Sequence, residues 1–265
     1  MNIKGILAVL LLAVCSASAR DWAKAKLEKS PRHGQWVTVT NGTRSVQCWM
    51  VLPDTKDKVP AVLLIHEIFG LSDWARNAGD EMAEAGYIAI VPDLLSGMGP
   101  NGGGTTNFAG QNAVMGAVQK LPDDQVTGDL NAAADFVKAL PQCNGKIAVG
   151  GFCWGGKQTF RFACNRPDLA AAYVFYGDPP AAASMAKIPC PVYGFYAGVS
   201  DGPTRSVTNA TANMKQAGKI YEPVIYDGAR HGFMRAGEDP TDQTPANKTA
   251  HDQAWTRWKD LLKKI

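Results

Sequence analysis

Apolar residues in this chain fall into short, nearly unbroken runs separated by longer stretches that read as helices. The runs Ala61–His66, Ile88–Val91, Lys146–Val149, Ala172–Tyr176 and Val192–Tyr196 suit strands buried on both faces rather than strands with one wet face. Val46–Leu52, closed by Pro53, is an earlier strand, and Glu222–Tyr226 is a later one. Helices are expected over Asp73–Ala85 with Ser72 as N-cap, Asp123–Leu140, the segment after Gly156, Pro203–Gln216 and Asn247–Lys263. The alternation predicts an α/β fold whose mostly parallel sheet carries helices on both faces. In such sheets, functional residues collect beyond the carboxyl ends of the strands. The segment Gly97–Gly110, with its Gly-Pro-Asn-Gly-Gly-Gly, is expected to be the most mobile loop.

The N-terminus follows another rule. Lys4 precedes an almost unbroken apolar run from Ile6 to Val14, and Ala17-Ser18-Ala19 then offers a small-x-small cleavage site. The run is too short to cross a bilayer, and polar Arg20-Asp21 follows directly. Residues 1–19 are therefore expected to be a signal peptide, and residues 20–265 an exported domain, periplasmic or secreted. Cys15 is a poor lipidation site because bulky Val14 precedes it. After processing, about 246 residues remain, enough for one α/β domain with a substantial core. Residues 1–19 hold one lysine and no acid, so the formal charge of +3 falls to +2. So small a charge argues against nucleic acid or an anionic membrane surface as the partner.

The candidate chemistry centres on Gly151-Phe152-Cys153-Trp154-Gly155-Gly156, which lies between a strand and a helix. A strand, a Gly-x-nucleophile-x-Gly turn and a helix make the nucleophile elbow of the α/β-hydrolase fold, here with cysteine in place of serine. The turn strains its central residue, and small flanking residues let strand and helix approach. The start of the following helix favours a thiolate and an oxyanion alike. Composition alone would yield about 0.06 such Gly-x-Cys-x-Gly matches per chain. A buried cysteine in a glycine-rich turn is the competing reading.

Other reactive residues stand at strand ends in the order nucleophile, acid, base. Asp201 follows Val192–Tyr196, and His231 follows Glu222–Tyr226. In that arrangement Cys153 attacks an acyl carbon, His231 handles the protons, and Asp201 fixes the imidazole tautomer. His66 also ends a strand and competes with His231, its alternative being a histidine that shapes a loop. His33 and His251 read as surface residues. Asp178 and Asp227 are the rivals of Asp201. Five cysteines survive processing: Cys48, Cys143, Cys153, Cys164 and Cys190. An odd number leaves at least one free thiol, and if Cys153 is free the other four allow up to two disulfides. Cys143, Cys164 and Cys190 are expected on the side opposite the reactive residues. The spacings do not favour a metal site.

His66-Glu67-Ile68-Phe69-Gly70, Val91-Pro92-Asp93-Leu94, the Cys153 elbow, Ala197-Gly198-Val199-Ser200-Asp201 and His231-Gly232-Phe233 together resemble the dienelactone hydrolase family over roughly residues 45–263. The resemblance implies an α/β-hydrolase fold with an eight-stranded sheet, a Cys153–His231–Asp201 triad and no cofactor. It also implies an oxyanion hole from the Ile68 and Trp154 N–H groups, and a small ester or lactone as substrate. Glu67 corresponds to a glutamate that keeps the resting thiol neutral until substrate displaces it. Arg235 matches the arginine that holds a substrate carboxylate, and Phe69 and Tyr176 are the other candidate substrate-binding residues. A monomer is expected. One departure stands out: Leu95-Ser96-Gly97-Met98-Gly99 has no basic residue where family members that take dienelactone carry a second arginine.

The leading expectation is an exported hydrolase working through an acyl-cysteine. Its alternatives are a thioesterase or general carboxylesterase on the same residues, or a ligand-binding protein that has kept the fold. A thiol redox protein is disfavoured, because Cys164 lies eleven residues down the helix from Cys153.

Overall fold

The structure is a computed structural model that describes residues 22–265. The expected signal peptide and its cleavage site lie outside the described residues. The strands are β1 (Gln35–Asn41), β2 (Arg44–Val51), β3 (Val59–Ile65), β4 (Ile88–Pro92), β5 (Cys143–Phe152), β6 (Leu169–Phe175), β7 (Val192–Ala197) and β8 (Tyr221–Tyr226). They form one sheet in the order β1-β2-β4-β3-β5-β6-β7-β8. β1 and β2 pair antiparallel, as do β2 and β4, and every later pairing is parallel. This is the mostly parallel sheet that the pattern predicts, with the eight strands that the resemblance implies; β1 is the strand the pattern does not show.

The helices are α1 (Trp22–Lys29), α2 (Asp73–Glu84), α3 (Gln111–Val118), α4 (Asp123–Lys138), α5 (Trp154–Asn165), α6 (Ala182–Met185), α7 (Gly202–Gln216), α8 (Phe233–Ala236) and α9 (Pro245–Leu262). Successive strand residues point to opposite faces, so each buried strand feeds two cores. Leu63, Ile65, Ile147 and Val149 pack with residues of α3, α4, α5 and α7. Val62, Leu64, Ala148 and Phe175 pack with residues of α1, α2, α8 and α9. The second core closes around Trp258, which is fully buried and lies 4.7 Å from Phe175 and 5.9 Å from Phe152 between ring centroids.

Ser72 caps α2 as expected, its hydroxyl accepting from the Ala75 N–H. Three features depart from the sequence reading. The segment 97–110 contains two short 3-10 turns, and its Thr105 is buried and fixed to Asp93. His251 is not solvated: it is mostly buried and lies against Glu238, because α1 and the segment after α8 cover that part of α9. All five described cysteines are free thiols. Cys143 accepts from the Gly145 N–H, and Cys164 bonds the Phe160 carbonyl one turn back. Cys143 and Cys190 precede or start their strands and Cys164 nearly ends α5, so these three lie at the amino ends of the strands, away from Cys153.

Candidate active site

Cys153 joins β5 to α5 with φ 57° and ψ −117°, a conformation that strains a residue bearing a Cβ. Hydrogen bonds hold it there. Its N–H donates to the Phe175 carbonyl at 3.0 Å, and its carbonyl accepts from Lys157 at 3.1 Å. The flanking glycines are required by contact: a Cβ on Gly155 would strike the Ile65 and His66 carbonyls, and one on Gly151 would strike the Gly155 carbonyl. The start of α5 therefore lies directly against the end of β3, which brings the Trp154 amide beside the His66–Gly70 loop. Neither the Ile68 nor the Trp154 N–H is taken by a protein acceptor among the described residues.

Two further strand ends supply the partners of the thiol. Asp201 is the N-cap of α7, and its Oδ1 accepts from the Thr204 N–H at 2.8 Å. Its Oδ2 lies 2.6 Å from His231 Nδ1. Asp178 and Asp227 are exposed, and neither makes this contact. Although burial raises the Asp201 carboxyl, the Thr204 and His231 hydrogen bonds outweigh it and hold the group below the usual aspartate range. Burial likewise pulls the His231 imidazole down, but hydrogen bonds with Cys153 and Asp201 prevail and push it up to about 9. The structure thus brings His231 and Asp201 into direct contact, and Cys153 is near enough to the imidazole to raise its pKa.

His66 has another place. It is buried, its Nδ1 donates to the Glu67 carbonyl at 2.7 Å, and its ring stacks on Trp154 with centroids 5.6 Å apart. Burial lowers its pKa. A neutral histidine in that position shapes the loop and does not reach the thiol's partners. Tyr176, with φ 40°, is fully buried beneath His231, the two ring centroids 4.9 Å apart.

The structure gives Glu67 a specific partner. Its buried carboxylate accepts from Arg235 Nε at 2.8 Å, and it makes no hydrogen bond to Cys153 among the described residues. Burial raises the Glu67 pKa, and the charge of Arg235 opposes the rise. The Arg235 guanidinium lies 5.1 Å over the Phe69 ring. The arginine expected to meet a substrate carboxylate is therefore already neutralised. The missing second arginine is not replaced by Arg44, whose guanidinium reaches the Leu94 carbonyl but is engaged by the buried Asp129.

Beside Phe69 and Arg235 opens a cleft of about 520 Å³, also lined by Trp22, Trp74, Thr105 and Gln111. The sequence reading missed the contribution of α1 to it, because WAKAKLEK buries only Ala23 and carries no clear apolar stripe. Away from the site, Glu81, Glu238 and His251 converge closely enough to ligate a metal. The ammonium of Lys26 already sits between Glu81 and Glu238, 3.0 Å from the latter, in the place a cation would take.

A model of the dienelactone hydrolase family matches residues 46–265. A protein of Methylorubrum extorquens provisionally named carboxymethylenebutenolidase is 29% identical over 231 residues, 82% of this chain and 76% of that relative. One of Escherichia coli O157:H7 with the same provisional name is 30% identical over 219 residues, 77% of each chain. Among solved structures, a provisionally named dienelactone hydrolase from Klebsiella pneumoniae aligns with a TM-score of 0.76 at 22% identity, covering 88% of this chain and 99% of that one. At that identity the structural likeness speaks for the α/β fold. The family match, which runs from β2 to the C-terminus, speaks for more: the chain belongs to the dienelactone hydrolase family and is a hydrolase of the ester- and lactone-cleaving kind.

Proposed function

We propose that this hydrolase cleaves a small, neutral ester or lactone through an acyl-cysteine, with Cys153, His231 and Asp201 as its triad. The observation that carries the reading is the 2.6 Å contact between His231 Nδ1 and Asp201 Oδ2, on an imidazole whose pKa is raised by Cys153 of the strained elbow as well as by Asp201. At neutral pH a histidine with a pKa near 9 is an imidazolium, a suitable partner for a thiolate. With Glu67 engaged by Arg235, its charge is compensated and opposes that thiolate less.

The thiolate attacks the acyl carbon, and the carbonyl electrons move onto oxygen. That oxyanion is received by the Ile68 and Trp154 N–H groups, each such donor contributing about 3 kcal/mol to the barrier reduction. As the carbon–oxygen bond breaks, His231 gives its proton to the leaving alkoxide. The now neutral imidazole then takes a proton from water, which attacks the acyl-cysteine and expels the thiolate. Asp201 holds the ring with Nδ1–H toward itself throughout. A neutral substrate is favoured because Arg235 is paired with Glu67 and the second arginine is missing.

Export is part of the proposal, resting on the apolar run and the Ala17-Ser18-Ala19 site in residues 1–19. The deciding experiment is a panel of small esters, lactones and thioesters given to wild type and Cys153→Ala. Ester or lactone turnover that disappears in Cys153→Ala with an unchanged melting temperature is the expected result. Turnover surviving the substitution would refute the assignment of the nucleophile, and a clear preference for thioesters would make the protein a thioesterase.

A further inference from the structure

We propose that α1 forms one wall of the substrate cleft, and that Trp22 is a specificity-determining residue selecting esters with a flat, neutral aryl group. The proposal rests on the hydrolase reading above and adds a substrate class to it.

The cleft shares two residues with the candidate active site. Phe69 directly follows Ile68, and Arg235 bonds Glu67 while lying over the Phe69 ring. Cys153, His231 and Trp154 do not line the cleft, so a substrate held at Cys153 would reach it with its non-reacting part alone, past Phe69. About 520 Å³ is more than a small lactone needs and falls in the range of pockets that hold larger organic ligands. Trp22, Phe69 and Trp74 supply aromatic surface from three different elements. Asp73 and Asp239 also line the cleft, and its arginine is spent on Glu67, so a negative charge would be poorly received there. Aromatic walls with no spare cation suit a neutral aryl group.

α1 is fastened as a wall must be. Lys26 bridges Glu81 of α2 and Glu238, three residues beyond Arg235, and Trp74 Nε1 donates to the same Glu238 at 2.9 Å. Just after α1, Ser30 donates to Asp80 at 2.7 Å and Arg32 to the same carboxylate at 2.8 Å. Ala23 is buried in the core beneath. Trp22 is thus positioned before any ligand arrives, which lowers the ordering cost of binding. The region that matches the family begins at residue 46, so α1 lies outside it.

The test compares kcat/KM for methyl acetate, methyl 3-phenylpropanoate and 2-phenylethyl acetate, which place an aryl group on neither side, the acyl side or the alcohol side. Wild type should prefer one of the aryl esters to methyl acetate. Trp22→Ala should lose about tenfold on that ester while methyl acetate stays within about twofold, and Trp22→Phe should restore most of the loss. Equal losses on all three esters, or no loss on any, would overturn the subsite, as would a wild type indifferent to the aryl group. If wild type cleaves none of the three, and Cys153 forms no acyl adduct detectable by mass, the hydrolase reading itself falls, a result distinct from failure of the subsite alone.

Discussion

Arg235 donates its Nε–H to Glu67 at 2.8 Å, joining positions 168 residues apart into one half-buried pair at the edge of the site. The pair sets the charge that a substrate meets. Glu67→Gln removes the negative partner while keeping the side chain's shape, which frees the guanidinium for a substrate carboxylate. A charge-assisted hydrogen bond contributes roughly 1.5–3 kcal/mol. The kcat/KM ratio of a carboxylated lactone to a neutral ester should therefore rise about tenfold or more in Glu67→Gln. In Arg235→Ala the ratio should fall instead. An unchanged ratio in both variants would show that some other group reads substrate charge.

His231 makes a pH prediction with a definite sign. Hydrogen bonds with Cys153 and Asp201 outweigh burial and place its pKa near 9, above the ordinary 6.5. The mechanism needs the imidazolium to protonate the leaving alkoxide, so kcat/KM should hold through neutral pH and fall as pH rises through about 9. Asp201→Asn removes one of the raising contacts, and the alkaline limb should then move to lower pH. A rate that keeps climbing through pH 9 would mean that neutral imidazole is the working form.

Much of this site was legible because its residues are local to their elements. The elbow declares itself through glycines that must touch carbonyls of neighbouring strands, and Ser72 and Asp201 sit at helix starts where short polar side chains cap. What was missed depends on partners far along the chain. His251 reads as exposed on its own helix and is covered only because Glu238 and α1 fold over it. Lys26 and Glu238 are 212 residues apart, a distance at which no periodicity links them. β1 escaped because only Val39 along it is buried, so its alternation carries little apolar contrast.

The segment 97–110 gives a stability prediction. Asp93 is buried and accepts from the Thr105 N–H at 2.8 Å, the Thr105 hydroxyl at 2.7 Å and the Leu95 N–H at 3.1 Å. The Thr105 hydroxyl accepts in turn from Leu71 at 3.1 Å, tying this segment to the loop that carries Ile68. Asp93→Asn turns one acceptor into a donor facing a donor and should cost about 1–3 kcal/mol. Chemical denaturation reads the loss, and kcat/KM should drop with it because the His66–Gly70 loop loses its support. A variant as stable as wild type would show that the contact is replaceable by water.

Two glycines receive the same substitution with opposite outcomes expected. At Gly155 an added Cβ would meet the Ile65 and His66 carbonyls, both backbone, so strand and helix must part. Overpacking of that kind costs about 1–3 kcal/mol. The displacement also falls on Trp154, whose N–H the proposed mechanism aims at the oxyanion, and an ångström of misplacement can cost about a hundredfold in rate. Gly155→Ala should thus lower stability and nearly abolish turnover. Gly116 lies inside α3, where an added Cβ meets nothing within 4 Å. There the alanine removes freedom only from the unfolded chain and should stabilise by about 0.4–1 kcal/mol, with kcat/KM unchanged. Thermal melts and ester turnover of both variants decide the matter. If Gly155→Ala keeps wild-type turnover, the contact of α5 with β3 is not what positions the nucleophile.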